Sequence, residues 1–305
     1  MCCLLPIRDT TQHKTNDPIP NTYTLYNGNK QNLQPLHAHK HADEGFALDW
    51  SPCHEGRLAS GDCARHIHVW EPAQGATGWA VSAPYAGHAG SVEDVQWSPA
   101  EPTVLASASA DGSLRVWDSR AAPKRGSMLC RPGAHASDVN VLSWNRLVGY
   151  MLASGGDDGA LRVWDLRTFS GAAGGGGGSG GGGVPAASTA TTTAAEPVAH
   201  FAFHRAPVTS VEWSPYEGSM LATAGADDQV AVWDLALERD PEEEAAAAAA
   251  AGAGAAAPPP DLPPQLLFVH SGQKDIKELR WHPQIPGMLV TTAADGFNAF
   301  RPSNL

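Results

Sequence analysis

Residues 151–167 read MLASGGDDGALRVWDLR. A short run of apolar and small residues comes first, then Asp158-Gly159, a strong signal for a tight hairpin whose two turn residues reach positive φ. Leu161 to Asp165 follows as a second strand, so the stretch is one β-hairpin. The same text returns as VLASASADGSLRVWDSR at 104–120 and, altered, as RLASGDCARHIHVWE at 57–71, MLATAGADDQVAVWD at 220–234 and MLVTTAADGFNAF at 288–300.

Working upstream, each hairpin is preceded by a further tryptophan. Trp50/Trp70, Trp97/Trp117, Trp144/Trp164 and Trp213/Trp233 are 20 residues apart, and Trp281/Phe300 are 19 apart. Two residues before each first tryptophan stands Leu48, Val95, Leu142, Val211 or Leu279, which period two places on the same buried strand face. Ser-Pro or His-Pro then ends that strand in four units, Asn145-Arg146 being the departure. Each unit is therefore at least a three-stranded antiparallel meander.

A histidine recurs 29 residues before the third-strand tryptophan, at His41, His88, His135 and His204, with His270 placed 30 before Phe300. Gly87-His88, the Ser or Thr of the second strand, the turn aspartate and Trp-Asp resemble the WD-repeat signature over about residues 36–305, which implies an all-β β-propeller. In that family His, Ser/Thr, Asp and Trp of one blade form a buried hydrogen-bond chain. The resemblance assigns that structural role to His88, Ser107, Asp111 and Trp117, to His135, Ser154, Asp158 and Trp164, and to His204, Thr223, Asp227 and Trp233. The first unit departs, with Asp62 two residues early and Ala64 in the aspartate's place. The last carries Phe300 and is expected to lack the chain, so the end blades should be the weaker ones.

Five blades are visible where the family commonly has seven. Either Asn32–His39 closes a five-bladed ring or, the preferred reading, two blades belong before His41. Residues 1–32 read as an N-terminal extension and 33–305 as the propeller. Flexible inserts are expected at 170–195, rich in Gly, and at 238–261, rich in Ala and Pro.

Thirty-two glycines, 24 prolines and 17% charged residues favour strands and turns over helices. A net charge of -12 disfavours direct binding to nucleic-acid phosphates and suits a basic protein partner. Five cysteines without paired spacing argue against a disulfide framework. MCCLLPIRD is too short in its apolar run for a signal peptide, and no stretch reads as a membrane span, so the chain is expected to be soluble and intracellular.

Recurrent His, Ser and Asp invite a hydrolase reading, but a nucleophile needs one exposed, strained turn rather than a motif repeated in several blades. Gly177 to Gly181 matches Gly-x-Ser-x-Gly only inside a glycine run. No enzyme activity and no cofactor are expected. His37, His39 and His41 alternate, as do His66 and His68 near Cys63, yet no four-ligand set with familiar spacing can be drawn, so no metal is expected either.

Acidic residues cluster before the first strands: Glu44, Asp138 and Asp275 lie six residues before the first tryptophan, and Glu93 and Asn140 four before it, with Phe46 at the matching place in the first unit. In a propeller these positions share one face, where carboxylates of several blades would bind lysine or arginine of a partner.

Longer stretches, EGFALDWSP (44–52), SVEDVQWSP (91–99), HRAPVTSVEW (204–213) and KELRWHP (277–283), resemble the glutamate-rich WD-repeat proteins, relatives of the retinoblastoma-binding histone chaperones. The resemblance implies a nuclear or nucleolar escort of histones and a large-subunit ribosomal protein, working in ribosome biogenesis or chromatin assembly, and matches 238–268 to a loop of the histone groove. The family's long acidic tract and N-terminal helix are absent from this sequence. A second reading comes from Trp117-Asp118-Ser-Arg120 and Trp164-Asp165-Leu-Arg167, which resemble the box that docks WD-repeat substrate receptors on a cullin ubiquitin-ligase adaptor.

Overall fold

A computed structural model describes residues 22–26, 35–73, 78–169, 196–238 and 262–303; the expected inserts at 170–195 and 238–261 lie, apart from Glu238, outside them. Among the described residues there is no α-helix. Two compact units divide them, one reaching Pro132 and the other running from Gly133 onward.

The first unit opens with a two-stranded antiparallel sheet of β1 (Thr22–Tyr26) and β2 (Pro35–Lys40), so part of the expected N-terminal extension is a strand. Its first blade comprises β3 (Ala47–Trp50), β4 (Leu58–Gly61) and β5 (His66–Pro72), and the outer edge of β5 carries β6 (Trp79–Val81) and then β7 (Tyr85–Ala86). The second blade is β8 (Val92–Trp97), β9 (Val104–Ser109), β10 (Leu114–Asp118) and β11 (Leu129–Arg131).

The second unit has two four-stranded blades and one of three strands. They are β12 (Val139–Trp144), β13 (Met151–Gly156), β14 (Leu161–Asp165) and β15 (Ala199–Phe201), then β16 (Val208–Trp213), β17 (Met220–Gly225), β18 (Gln229–Asp234) and β19 (Leu266–Ser271). The last is β20 (Ile276–Trp281), β21 (Leu289–Ala293) and β22 (Gly296–Phe300). Sequence periodicity supplied three strands per blade; the fourth, three residues long in β11 and β15 and six in β19, lacks the paired-tryptophan marks.

The middle strands explain the small residues of the repeat. Every residue of β9 and β17 is buried, and after Val104-Leu105 and Met220-Leu221 the remaining positions are Ala, Ser, Thr or Gly, whose small side chains suit close packing. Thus Val92, Val95 and Trp97 of the second blade pack on Ala47, Ala59, Ile67 and Val69 of the first. In the second unit Val208, Val211 and Trp213 pack on Ala153, Leu161 and Val163.

The two tryptophans of a pair hold different things. Three first-strand tryptophans tie their blade to the preceding one: Trp97 Nε1 donates to Asp49 O (3.1 Å), Trp213 Nε1 to Ser143 O (3.0 Å) and Trp281 Nε1 to Glu212 O (3.0 Å), whereas Trp144 Nε1 donates to Gly149 O (2.8 Å) of its own blade. The third-strand tryptophan holds its own blade, as described below.

The hairpins correct one expectation. Only one turn residue is left-handed, at the position shared by Gly112 (φ 72°), Gly159 (φ 69°), Asp228 (φ 65°) and Arg65 (φ 73°), so these are longer turns closing on one left-handed residue rather than two-residue primed turns. Arg65 has a Cβ where glycine has none. The left-handed conformation costs it about 1–2 kcal/mol, of which glycine's greater chain entropy cancels about 0.5–1. Arg65→Gly should therefore raise the unfolding free energy by roughly 0.5–1 kcal/mol in urea denaturation.

Candidate functional site

The first four blades are each held from within by a buried relay. In the second blade Trp117 Nε1 donates to Ser107 Oγ (2.8 Å), Ser107 Oγ meets His88 Nε2 (2.7 Å), and His88 Nδ1 meets Asp111 Oδ2 (3.1 Å). The third repeats it through Trp164, Ser154, His135 and Asp158 at 2.9, 2.8 and 2.9 Å, and the fourth through Trp233, Thr223, His204 and Asp227 at 3.0, 2.8 and 2.9 Å. An indole N–H can only donate and an ionised carboxylate can only accept, so the direction is fixed. Indole donates to hydroxyl, hydroxyl to Nε2 of a neutral imidazole, and Nδ1–H to carboxylate.

The electrostatics agree with that assignment. Burial, against the opposing pull of Asp158, holds His135 down to about 4, and burial lowers His88 in the same way. Burial alone would raise Asp111, but bonds from His88, Ser113 and the Ala89 N–H outweigh it and keep the carboxyl well below its usual range. The Ser-His-Asp order is that of a hydrolase triad. Here Ser107 and Ser154 are fully buried and their oxygens already accept from an indole, so no substrate carbonyl reaches them.

Of the two end blades, the first departs from expectation and the last lacks the relay as its Phe300 implied. In the first, the relay is complete: Trp70 Nε1 to Ser60 Oγ is 2.9 Å, Ser60 Oγ to His41 Nε2 is 3.0 Å, and His41 Nδ1 to Asp62 Oδ2 is 3.0 Å. Asp62 stands where the third and fourth blades have Gly156 and Gly225, and a Cβ on either glycine would lie 2.5 Å from the histidine Nδ1. A carboxylate from that position therefore needs no turn to reach the ring. In the last blade His270 is not the relay residue. It lies on β19 and stacks on Phe300 at 4.1 Å, while Gln273 Oε1 accepts from Thr291 Oγ1.

Strand register places the partner-binding candidates. The start of each first strand pairs with the end of the second, as in Val92↔Ser109, Val139↔Gly156, Val208↔Gly225 and Ile276↔Ala293, so these residues lie at the end carrying the turn aspartates. At each of these starts one residue bulges from the ladder: Glu93, Asn140, Thr209 and Lys277. A bulge re-aims its side chain, and the first two are residues singled out by spacing.

In the first unit the acids converge. Cys63 N donates to Glu44 O (2.6 Å), and burial first, then the charges of Glu93, Asp43, Glu44 and Asp62, push the Cys63 thiol up, so carboxylates of two consecutive blades act on one residue. Phe46 stands beside them at 64% exposure. Sequence spacing had not singled out Asp43; its signal was its adjacency to Glu44.

In the second unit the same end is mixed. Asn140 Nδ2 donates to Asp157 Oδ1 (2.7 Å), adding a carboxylate that the doubled Asp157-Asp158 could have signalled, and the main chain of Asp138 accepts from Asp157 N (3.0 Å). Asp275 differs from the expected open carboxylate, since Lys277 Nζ lies 2.6 Å from it.

The adaptor-docking candidates occupy the opposite end, where Asp118 pairs with Val104 and Asp165 with Met151. Arg120 and Arg167 are 73% and 64% exposed, and each grips its own box aspartate through Nε and Nη2. Arg167 also lies over the Tyr150 ring at 3.7 Å. Their outward edges face solvent in a fixed orientation.

Comparison with known proteins agrees with this geometry. The family described as WD domain, G-beta repeat, matches residues 80–118, 126–165 and 195–234. Each match begins with or before the fourth strand of one blade and ends at the Trp-Asp of the next. The first and last units, with their shifted Asp62 and their Phe300, are not among them.

The chain is 52% identical to Protein HEAT STRESS TOLERANT DWD 1 of Arabidopsis thaliana over 87% of its length and 51% of that protein. It is 42% identical to Ribosome assembly protein rrb1 of Schizosaccharomyces pombe over 89% of its length and 51% of that protein. Glutamate-rich WD repeat-containing protein 1 of Dictyostelium discoideum is 62% identical over 14% of this chain and 9% of its own. The chain thus spans about half the length of the first two relatives. A chain in the crystal structure of a mitotic checkpoint complex shares the fold at TM-score 0.64 and 20% identity, over 93% of this chain and 69% of that one.

Proposed function

The chain belongs to the WD-repeat family, with the glutamate-rich and ribosome-assembly WD proteins it matches, and from that premise we propose that it is a non-enzymatic escort of basic proteins in ribosome biogenesis or chromatin assembly. Its clients are histones or a large-subunit ribosomal protein, met in the nucleus and nucleolus. The observation carrying this reading is the gathering of Asp43, Glu44 and Glu93 near Cys63 at the hairpin end of the first unit, where Cys63 N donates to Glu44 O. Carboxylates gathered at a strand start and the segment leading into β3 exchange counterions for lysine and arginine and so keep a cationic client off nucleic acid.

The contact is electrostatic and salt must weaken it. Tagged chain expressed in cells should co-purify with histones or ribosomal proteins at low ionic strength and release them as salt rises. Recovery of no basic protein under either condition contradicts the reading.

A second reading has its own support. Arg120 and Arg167, each preoriented by its own box aspartate at the Trp-Asp end of its own blade, suit a partner carboxylate and a substrate-receptor role on a cullin-ligase adaptor. The Arabidopsis relative bears DWD in its name. Replacing Arg120 and Arg167 together with alanine should abolish adaptor pull-down while leaving basic clients bound; unchanged pull-down removes this second role.

A further inference from the structure

The first blade differs from its neighbours in the side chains around its relay aspartate. His68 occupies the β5 position that is Arg115 in β10, Arg162 in β14 and Ala231 in β18. In the third blade Arg162 Nη1 lies 2.8 Å from Asp158 Oδ2 and supplies the cation that a buried carboxylate needs. In the first blade Asp62 is buried, and its ion-pair partners among the described residues are the imidazoles of His41 and His66. Two residues before the relay histidine stands His39, where the second, third and fourth blades have Ala86, Gly133 and Ala202.

These exchanges assemble a ligand set. His41, Asp62 and His68 each offer a ligand atom within 4.8 Å of the others. The rings of His39, His41 and His68 have centroids 5.3, 5.1 and 4.9 Å apart, pair by pair. Three imidazoles bonded at about 2.0–2.1 Å to one tetrahedral ion place their centroids about 5 Å apart. Outer partners are also present. His68 Nδ1 lies 3.3 Å from Ser82 O, which leaves Nε2 as the ligating nitrogen, and Ser60 Oγ lies 3.0 Å from His41 Nε2, which leaves Nδ1.

We propose that His41, Asp62 and His68, with His39 beside them, bind a divalent transition-metal ion, zinc first among them, in place of the arginine that neutralises the aspartate in the third blade. Imidazole and carboxylate together suit zinc and its first-row neighbours rather than calcium or magnesium. Binding takes His41 as its other neutral tautomer: the proton moves from Nδ1 to Nε2, where it is donated to Ser60 Oγ, and Nδ1, 3.0 Å from Asp62 Oδ2, would offer its lone pair to the ion with no net proton released. The site is independent of client binding.

The test uses the full chain stripped with a chelator and titrated with zinc against a chromophoric competitor. One equivalent should bind tightly, and cobalt in its place should give the visible absorption of a tetrahedral ion. His68→Arg copies the third blade, so it should keep the melting temperature of the metal-free protein, lose the cobalt spectrum, and weaken zinc by more than the ten- to hundredfold that loss of an outer partner costs. His54→Ala, at an exposed histidine, should bind as the wild type does. Should His68→Arg not fold, His39→Ala provides the same comparison, with an expected weakening of at least about tenfold. Zinc bound equally by wild type and these variants, or not held by the wild type, overturns the proposal.

Discussion

Trp164→Ala should lower the unfolding free energy by about 3–5 kcal/mol, read as an early transition in urea denaturation. Three losses act together. The indole is 1% exposed, so truncation opens a large cavity; it packs edge-on against Phe169 at 5.9 Å; and its Nε1 bond to Ser154 Oγ anchors the relay through His135 to Asp158. Trp164→Phe separates these losses, because it keeps most of the volume and removes the donor, and should cost only about 1–2 kcal/mol beyond repacking. Phe297→Ala is the control within the same unit: at 76% exposure it should change stability by under about 0.5 kcal/mol. Equal effects of Trp164→Ala and Phe297→Ala would mean that the relay tryptophans do not hold the blades.

The second large effect is acid destabilisation. His135 titrates near 6.5 when unfolded and is held down to about 4 in the fold by burial, with Asp158, Arg162 and His200 facing it. Above pH 6.5 the ring is neutral in both states and the folded arrangement is fully retained. As pH falls toward 4 the unfolded chain takes a proton that the folded one refuses, so stability drops. A shift of that size is worth about 3 kcal/mol. Asp158, held below its usual range, pulls in the same direction as it is forced to protonate at lower pH. Midpoints of urea denaturation between pH 7.5 and pH 4.5 should fall steadily, and His135→Gln should flatten part of that slope. A slope unchanged by His135→Gln would contradict the neutral-relay assignment.

The blades were legible because their code is redundant: Trp, Asp-Gly and Leu-Ala-Ser recur in register, so chance cannot produce them. Two features escaped for physical reasons. Asp62 looked displaced because position was counted along the chain, whereas reach to His41 is set in space, where the strand end lies closer to the ring than the turn does. His270 looked like a relay histidine because 30 residues nearly equals 29, but a single step along a strand turns a side chain to the other face, and it ends against Phe300 instead. The candidate acids were found from their distance to the tryptophans; what spacing could not show is that Lys277 neutralises Asp275 while Glu44 and Glu93 share one neighbourhood.

The central claim is that framework and function are separable, with relays inside the blades and carboxylates at their hairpin ends. Its most direct test is one variant, Glu44/Glu93/Asp138 to triple alanine, assayed for affinity to purified histones and for thermal stability. The expected result is binding weakened at least about tenfold, with a shallower salt dependence and an unchanged melting temperature. Histones bound as tightly by the variant as by the wild type, at the same melting temperature, would contradict it.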